Sequence, residues 1–158
     1  VTTMHRHIQY ALGQESDQGE SDDGIELGIC YLPDSMDKLY FAGACFELFY
    51  TEGNKIKVIK GTKKGLGYRG IPIDQQYACV EVPIQTGQRF YMTSDGIIDQ
   101  VGGDKRRGFG KKRFKQVLVD SKEQDIQKVG ECLYQALEVY QGDEKRRDDV
   151  AIIGFEIH

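Results

Sequence analysis

The sequence predicts an α+β fold in which helices pack on antiparallel sheets. Short β-prone runs follow one another from residue 25 to residue 94, separated by turn residues. Helical spacing is confined to the flanks of that block. The order is therefore a helix, a long series of strands, two helices and a final strand. Such grouping segregates helices from sheet instead of alternating them in parallel βαβ units.

The chain of 158 residues is long enough for one domain with a core, and 1–158 is read as a single partial domain. With 39% hydrophobic and 29% charged residues it has the composition of a globular protein. A net charge of -4 gives no overall attraction to nucleic acid or to an anionic membrane. No apolar run approaches the roughly 20 residues of a membrane-spanning helix, so no membrane contact is expected from this segment. Val1 opens directly on a helical pattern, and the chain reads as a portion of a longer protein. Cys30, Cys45, Cys79 and Cys132 contain no Cys-x-x-Cys spacing and stand in apolar contexts. They read as buried free thiols of a reducing cytoplasm, not as a zinc site.

Met4, Ile8, Ala11 and Leu12 recur at helical spacing, with Gly13 as the stop. His5 and His7 fall on different faces of that helix and read as solvated side chains. The acidic, polar stretch 14–24 reads as a flexible loop and does not fit a calcium loop. Ile25, Leu27, Ile29 and Tyr31 alternate with smaller or polar residues, the period of a half-buried strand. Residues 33–37 form a turn, 38–44 and 45–51 are two β-prone runs, and Glu52-Gly53-Asn54 turns into the hairpin partner 55–60. Four strands in such close order predict a meander. The segment 61–70 has four glycines and three basic residues but no Walker spacing, and reads as a mobile surface loop. Strands follow over 77–84 and 89–94, joined by Thr86-Gly87-Gln88.

Seven basic residues lie between Lys105 and Lys115, around Phe109 and Phe114. Phe114, Val117 and Leu118 have helical spacing, so these charges are expected on the exposed side of a short helix, with protein docking as another use. From Glu123 to Gln141, the residues Ile126, Val129, Leu133, Leu137 and Tyr140 form one continuous helical stripe, ended at Gly142. The last run, Val150 to Ile157, is apolar enough to predict a central strand covered on both faces.

Two acidic features carry the chemistry. The strand 89–94 stops at Asp95-Gly96, and Asp148-Asp149 stands just before the last strand. Either alone reads as a turn or a surface charge cluster. Together, hard oxygen donors at the ends of two strands suit Mg²⁺ or Mn²⁺.

Four motifs stand in order: Ser94-Asp95-Gly96-Ile97-Ile98-Asp99-Gln100, Gly102-Gly103, Gly108-Phe109-Gly110 and Asp148-Asp149-Val150-Ala151-Ile152-Ile153-Gly154. In that order they resemble the SpoIIE-like branch of the metal-dependent, type 2C protein phosphatases. Asp23-Gly24-Ile25-Glu26-Leu27 and Leu39-Tyr40-Phe41-Ala42-Gly43-Ala44 extend the resemblance upstream. It implies an antiparallel β-sandwich flanked by helices with a two-metal Mn²⁺ or Mg²⁺ centre. It further implies that Asp95 and Asp148 are metal ligands, supported by Gly96 and Asp149. The implied reaction is attack of a metal-activated water on phosphoserine or phosphothreonine. The implied partner is a small STAS-type regulatory protein of bacterial signalling. The family's N-terminal Asp-Gly strand and Asp-x-x-Gly-His-Gly motif, whose Asp bridges the metals, have no counterpart in this sequence. The chain alone is accordingly expected to lack the N-terminal strands of the sandwich, bind metal weakly and be inactive. The alternative is a non-catalytic interaction domain of the same fold. Nucleic-acid binding through residues 105–115 is a third reading, disfavoured by the helical spacing there.

Overall fold

The computed structural model describes residues 1–15 and 22–158; most of the polar loop expected over 14–24 lies outside the described residues. The elements are α1 (Thr2–Leu12), β1 (Leu27–Tyr31), β2 (Lys38–Ala44), β3 (Glu47–Glu52), β4 (Lys55–Lys60), β5 (Cys79–Pro83), β6 (Arg89–Thr93), α2 (Asp95–Asp99), β7 (Val101–Gly102), β8 (Arg107–Gly108), α3 (Gly110–Asp120), α4 (Ile126–Gln141) and β9 (Ile152–Glu156). The fold is α+β with antiparallel pairing between its paired strands. It contains two compact units, Val1–Leu48 with Val58–Gln85, and Phe49–Lys57 with Thr86–His158.

In the first unit, β1, β2 and β5 form a three-stranded sheet in the order β1-β2-β5. The expected meander of four strands is not formed. After β2 the chain turns at Cys45, whose φ is +54°, and β3 and β4 join a different, four-stranded sheet of order β4-β3-β6-β9. A residue at Gly43 with a Cβ would sit 2.5 Å from the Phe46 carbonyl oxygen, so this sharp turn requires glycine there.

Helix α1 forms as expected and ends at Gly13, which adopts the left-handed conformation (φ +62°). Its buried face, however, is not the apolar stripe. His5 and Gln9 are buried, whereas Met4 and Leu12 are 42% and 43% exposed. The reason is that the helix packs on irregular backbone whose polar groups need partners. The Gly67 N–H donates to His5 Nδ1 (3.1 Å), which leaves Nε2 to donate to the Pro72 carbonyl (3.0 Å). Gln9 Nε2 donates to the carbonyls of Tyr68 (3.0 Å) and Ile71 (2.8 Å). His5 is therefore a buried structural side chain, not a solvated one.

The same contacts correct the reading of 61–70 as a mobile surface loop. Leu66 is fully buried and exchanges backbone hydrogen bonds with Ile25 at 2.8 and 2.9 Å. The glycines allow close approach here: a Cβ on Gly61 would lie 2.5 Å from the Gly43 carbonyl oxygen. The four cysteines form no disulfide, and Cys30 and Cys132 are half-buried while Cys45 and Cys79 are exposed, contrary to the expectation of four buried thiols.

In the second unit, α4 buries Val129, Leu133 and Leu137, as its periodicity predicts, and Asp125 caps it by accepting the Lys128 N–H at 2.9 Å. Helix α3 buries Phe114 and Leu118, with Phe114 edge-on to Phe49 at 5.0 Å between centroids. Strand β9 lies at the edge of the four-stranded sheet, not at its centre, and Ile153 is 59% exposed. Its apolar character alone does not reveal which neighbours it meets.

Candidate functional site

The β6–β9 pairing positions both acidic features. Its register runs from Arg89↔Glu156 to Thr93↔Ile152. At one end the Arg89 Nε lies 2.6 Å from Glu156 Oε2, and in the adjacent pair Phe90 stacks on Phe155 with centroids 5.3 Å apart. Such cross-strand pairs contribute roughly 0.2–1 kcal/mol each and oppose a slip, which would turn every side chain to the other face. The residues after β6 and before β9 are thereby brought to the same end of the sheet.

There the structure corrects one detail of the sequence reading. Asp95 is not the last side chain of a strand but the first residue of the short helix α2, with Ser94 as its N-cap in an extended conformation. The Ser94 hydroxyl donates to the Asp149 carbonyl (3.0 Å) and accepts from the Ala151 N–H (3.0 Å). The Ser94 N–H donates to the Ala151 carbonyl, also at 3.0 Å. Gly96 closes the contact: a Cβ there would stand 2.2 Å from the Asp149 carbonyl oxygen and 2.9 Å from its carbon. Helix α2 and the 148–149 segment thus touch backbone to backbone, which only glycine permits at that position.

The carboxylates of Asp95, Asp148 and Asp149 are exposed at this junction. Asp148 Oδ1 accepts the Asp149 N–H at 2.7 Å, which fixes the first carboxylate and leaves its second oxygen unused by that bond. Among the described residues, no group of three or more His, Cys, Asp or Glu side chains is disposed to hold a metal ion.

Two residues that sequence reasoning assigned no role complete the frame. Gln100, 1% exposed, donates from Nε2 to the Lys145 carbonyl (3.1 Å) and accepts the Arg147 N–H on Oε1 (3.3 Å). It ties the end of α2 to the connector that carries Asp148. Ser94 locks the other side of the same connector. Neither residue type is distinctive in sequence, and Gln100, one position beyond the Ile97-Ile98-Asp99 run, carries no local signal of its own.

The match to known families now decides the relationship. A family model described as Stage II sporulation protein E (SpoIIE) matches residues 27–158. The chain belongs to the SpoIIE family. Among solved structures, it is similar to the SiaA-PP2C domain of Pseudomonas aeruginosa, at 29% identity and a TM-score of 0.78, over 95% of this chain and 57% of that one. The phosphatase domain of SpoIIE from Bacillus subtilis matches at 16% identity and a TM-score of 0.62, over 84% of this chain and 56% of that one. A PPM Ser-Thr phosphatase from Mycobacterium smegmatis, in complex with cacodylate, matches at 11% identity and a TM-score of 0.67, over 100% of this chain and 71% of that one. The last two likenesses concern the fold alone. No curated protein matches the chain. This SpoIIE-family chain spans little more than half the length of the first two structures it resembles. No helix among its described residues is long and apolar enough to cross a membrane.

Proposed function

We propose that this chain is the part of a metal-dependent serine/threonine protein phosphatase that carries Asp95 and Asp148 as metal ligands. The observation that carries the reading is the backbone contact of Gly96 with Asp149, which sets the two carboxylate-bearing segments side by side. Two exposed carboxylates, one oriented by the Asp149 N–H, are a donor set that fits Mn²⁺ or Mg²⁺, both of which favour carboxylate and water oxygens. When bound, such ions supply Lewis acidity and lower the pKa of a coordinated water. The chain's own contribution is positional. Ser94 and Gly96 hold α2 against the 148–149 segment, and Gln100 fixes the connector behind it, so the carboxylates need little reorganisation to meet an ion.

The substrate is a phosphoserine or phosphothreonine residue on a small STAS-type regulatory protein in a bacterial cytoplasm. Membership of the SpoIIE family supports this assignment. In the longer protein, Asp95→Asn or Asp148→Asn is expected to lower Mn²⁺-dependent phosphopeptide hydrolysis by more than about 100-fold, beyond the usual cost of losing an outer-sphere partner. Retained activity in either variant rejects that residue as a ligand. The chain of 158 residues by itself is expected to be inactive on a phosphopeptide or an aryl phosphate with Mn²⁺. Robust turnover abolished by Asp95→Asn overturns that expectation. Absence of metal binding by calorimetry in the longer protein favours a non-catalytic interaction domain.

A further inference from the structure

The polar inner face of α1 is a set of hydrogen bonds to irregular backbone, and two of them hold one residue. Gly67 lies directly on the helix: its φ is +87°, and a Cβ there would stand 2.3 Å from the Ile8 side chain. Its N–H donates to His5 Nδ1 (3.1 Å), and its carbonyl accepts from Gln14 Nε2 (2.8 Å). His5 Nδ1 therefore carries no proton, and the one N–H of the ring donates from Nε2 to the Pro72 carbonyl (3.0 Å). The ring is fully buried, and no carboxylate among the described residues pairs with it. Met4, Tyr10 and Leu12 stay exposed, so hydrogen bonds, not burial of those side chains, hold the helix in place. Of His5, Gln9 and Gln14, only His5 changes its hydrogen-bonding sense with pH.

We propose that His5 is an acid-released latch, which holds α1 on the 66–72 segment while neutral and lets it go when protonated. A proton on Nδ1 sets one N–H against another at the Gly67 contact and leaves the buried Gly67 N–H without an acceptor. Gly67 cannot turn to offer a different group, because Ile8 fills the space beside it and Gln14 holds its carbonyl. The surroundings supply no counter-charge. Tyr77 faces the ring at 5.8 Å between centroids; its hydroxyl donates to the Gly65 carbonyl (2.6 Å), and burial raises it, so it stays a neutral phenol in acid. Arg6 and His7 on α1 are exposed, as are Asp22, Asp23 and Asp74 on the neighbouring segments. Arg69 on the held segment is half-buried, and its N–H donates to Asp22 Oδ1 (2.9 Å). The sign follows from which state takes the proton. The closed arrangement fits only neutral imidazole, whereas an opened His5 titrates in the ordinary histidine range, about 6.5; closure is complete above that range and is lost as pH falls through it.

The test is hydrogen exchange of the longer protein, corrected for the pH dependence of the chemical exchange step. Opening of Gly67 and of α1 is expected to increase about tenfold between about pH 7.5 and pH 5.5, the factor for one histidine that takes a proton only when open. Helix α4 is the internal control and is expected to change by less than about twofold over the same range. His5→Gln, whose amide has both a donor and an acceptor but does not titrate, is expected to remove the pH response. His7→Gln, at an exposed position on the same helix, is expected to keep it. The imidazole nitrogen resonances of the parent give an answer that needs no variant at position 5. His5 is expected as the Nε2–H tautomer at the higher pH, and to gain its second proton together with the loss of Gly67 protection. No increase in opening for the parent, an equal increase in His5→Gln, or a cationic His5 beside a still protected Gly67 each overturns the latch.

Discussion

Replacing Gly96 by alanine tests the contact on which the candidate site depends. The added methyl would lie 2.2 Å from the Asp149 carbonyl oxygen, against an ordinary contact distance of 3.4–4 Å. Because the obstacle is backbone, α2 and the 148–149 segment must separate by about an ångström. Overpacking of this kind costs roughly 1–3 kcal/mol. A displacement of that size also breaks at least one of the 3.0 Å hydrogen bonds that Ser94 makes to this connector, worth about 1 kcal/mol. Alanine recovers up to about 1 kcal/mol of helix propensity. The net loss is about 1–3 kcal/mol, or a fall in Tm of about 2–12 °C for a chain of this length. Gly130 on α4 is the internal control, since nothing lies within 4 Å of a Cβ there, and Gly130→Ala is expected to raise Tm by a few degrees. Circular dichroism melts of the two single variants decide the matter by sign. A Gly96→Ala chain as stable as the parent would refute the claim that the two segments are in contact.

Two further perturbations address the first unit. His5→Phe keeps the volume near the original but leaves the buried Gly67 N–H without its acceptor, at a cost of about 1–3 kcal/mol; hydrogen exchange at Gly67 should accelerate, and an unchanged rate would contradict the assigned bond. Burial pushes the Cys30 thiol from its ordinary 9.0 up to about 11. The unfolded chain therefore ionises this thiol first, and the stability it contributes is present below about pH 9 and is lost as pH rises toward 11. Burial raises Tyr77 and Tyr91 as well, so the measurement is the difference in alkaline Tm loss between the parent and Cys30→Ala. In alkylation at pH 8, exposed Cys79 should be modified before Cys30.

The α+β class, the boundaries of α1 and the stripe of α4 were legible because each is written in local periodicity. Val129, Leu133 and Leu137 bury where a period of 3.6 places them. Where periodicity failed, the competing demand was satisfaction of irregular backbone. On α1 the apolar residues Met4 and Leu12 yield the inner face to His5 and Gln9, because the 67–72 segment offers N–H and carbonyl groups that only polar side chains can pair. Strand order was likewise illegible for β9, whose composition suits a centre while its position is an edge. Sheet neighbours are fixed by long-range pairing, which short windows of sequence do not contain.

The candidate site shows the same division. Asp95-Gly96 and Asp148-Asp149 are visible as motifs, yet their joint meaning depends on Ser94, Gly96 and Gln100, which act through backbone groups. A glycine chosen for the room it leaves to a carbonyl 53 residues away has no local signature (149 less 96). Such a residue is also intolerant in a specific way: any side chain pushes the same two segments apart, so tolerance at position 96 should fall with the first methyl instead of scaling with size. Serine or alanine there should lower Tm nearly as much as valine does, whereas at position 130 on α4 bulk matters only through helix propensity. A graded response at 96 would mean that the junction relaxes, and the carboxylates would then be held by the Ser94 and Gln100 hydrogen bonds rather than by close packing.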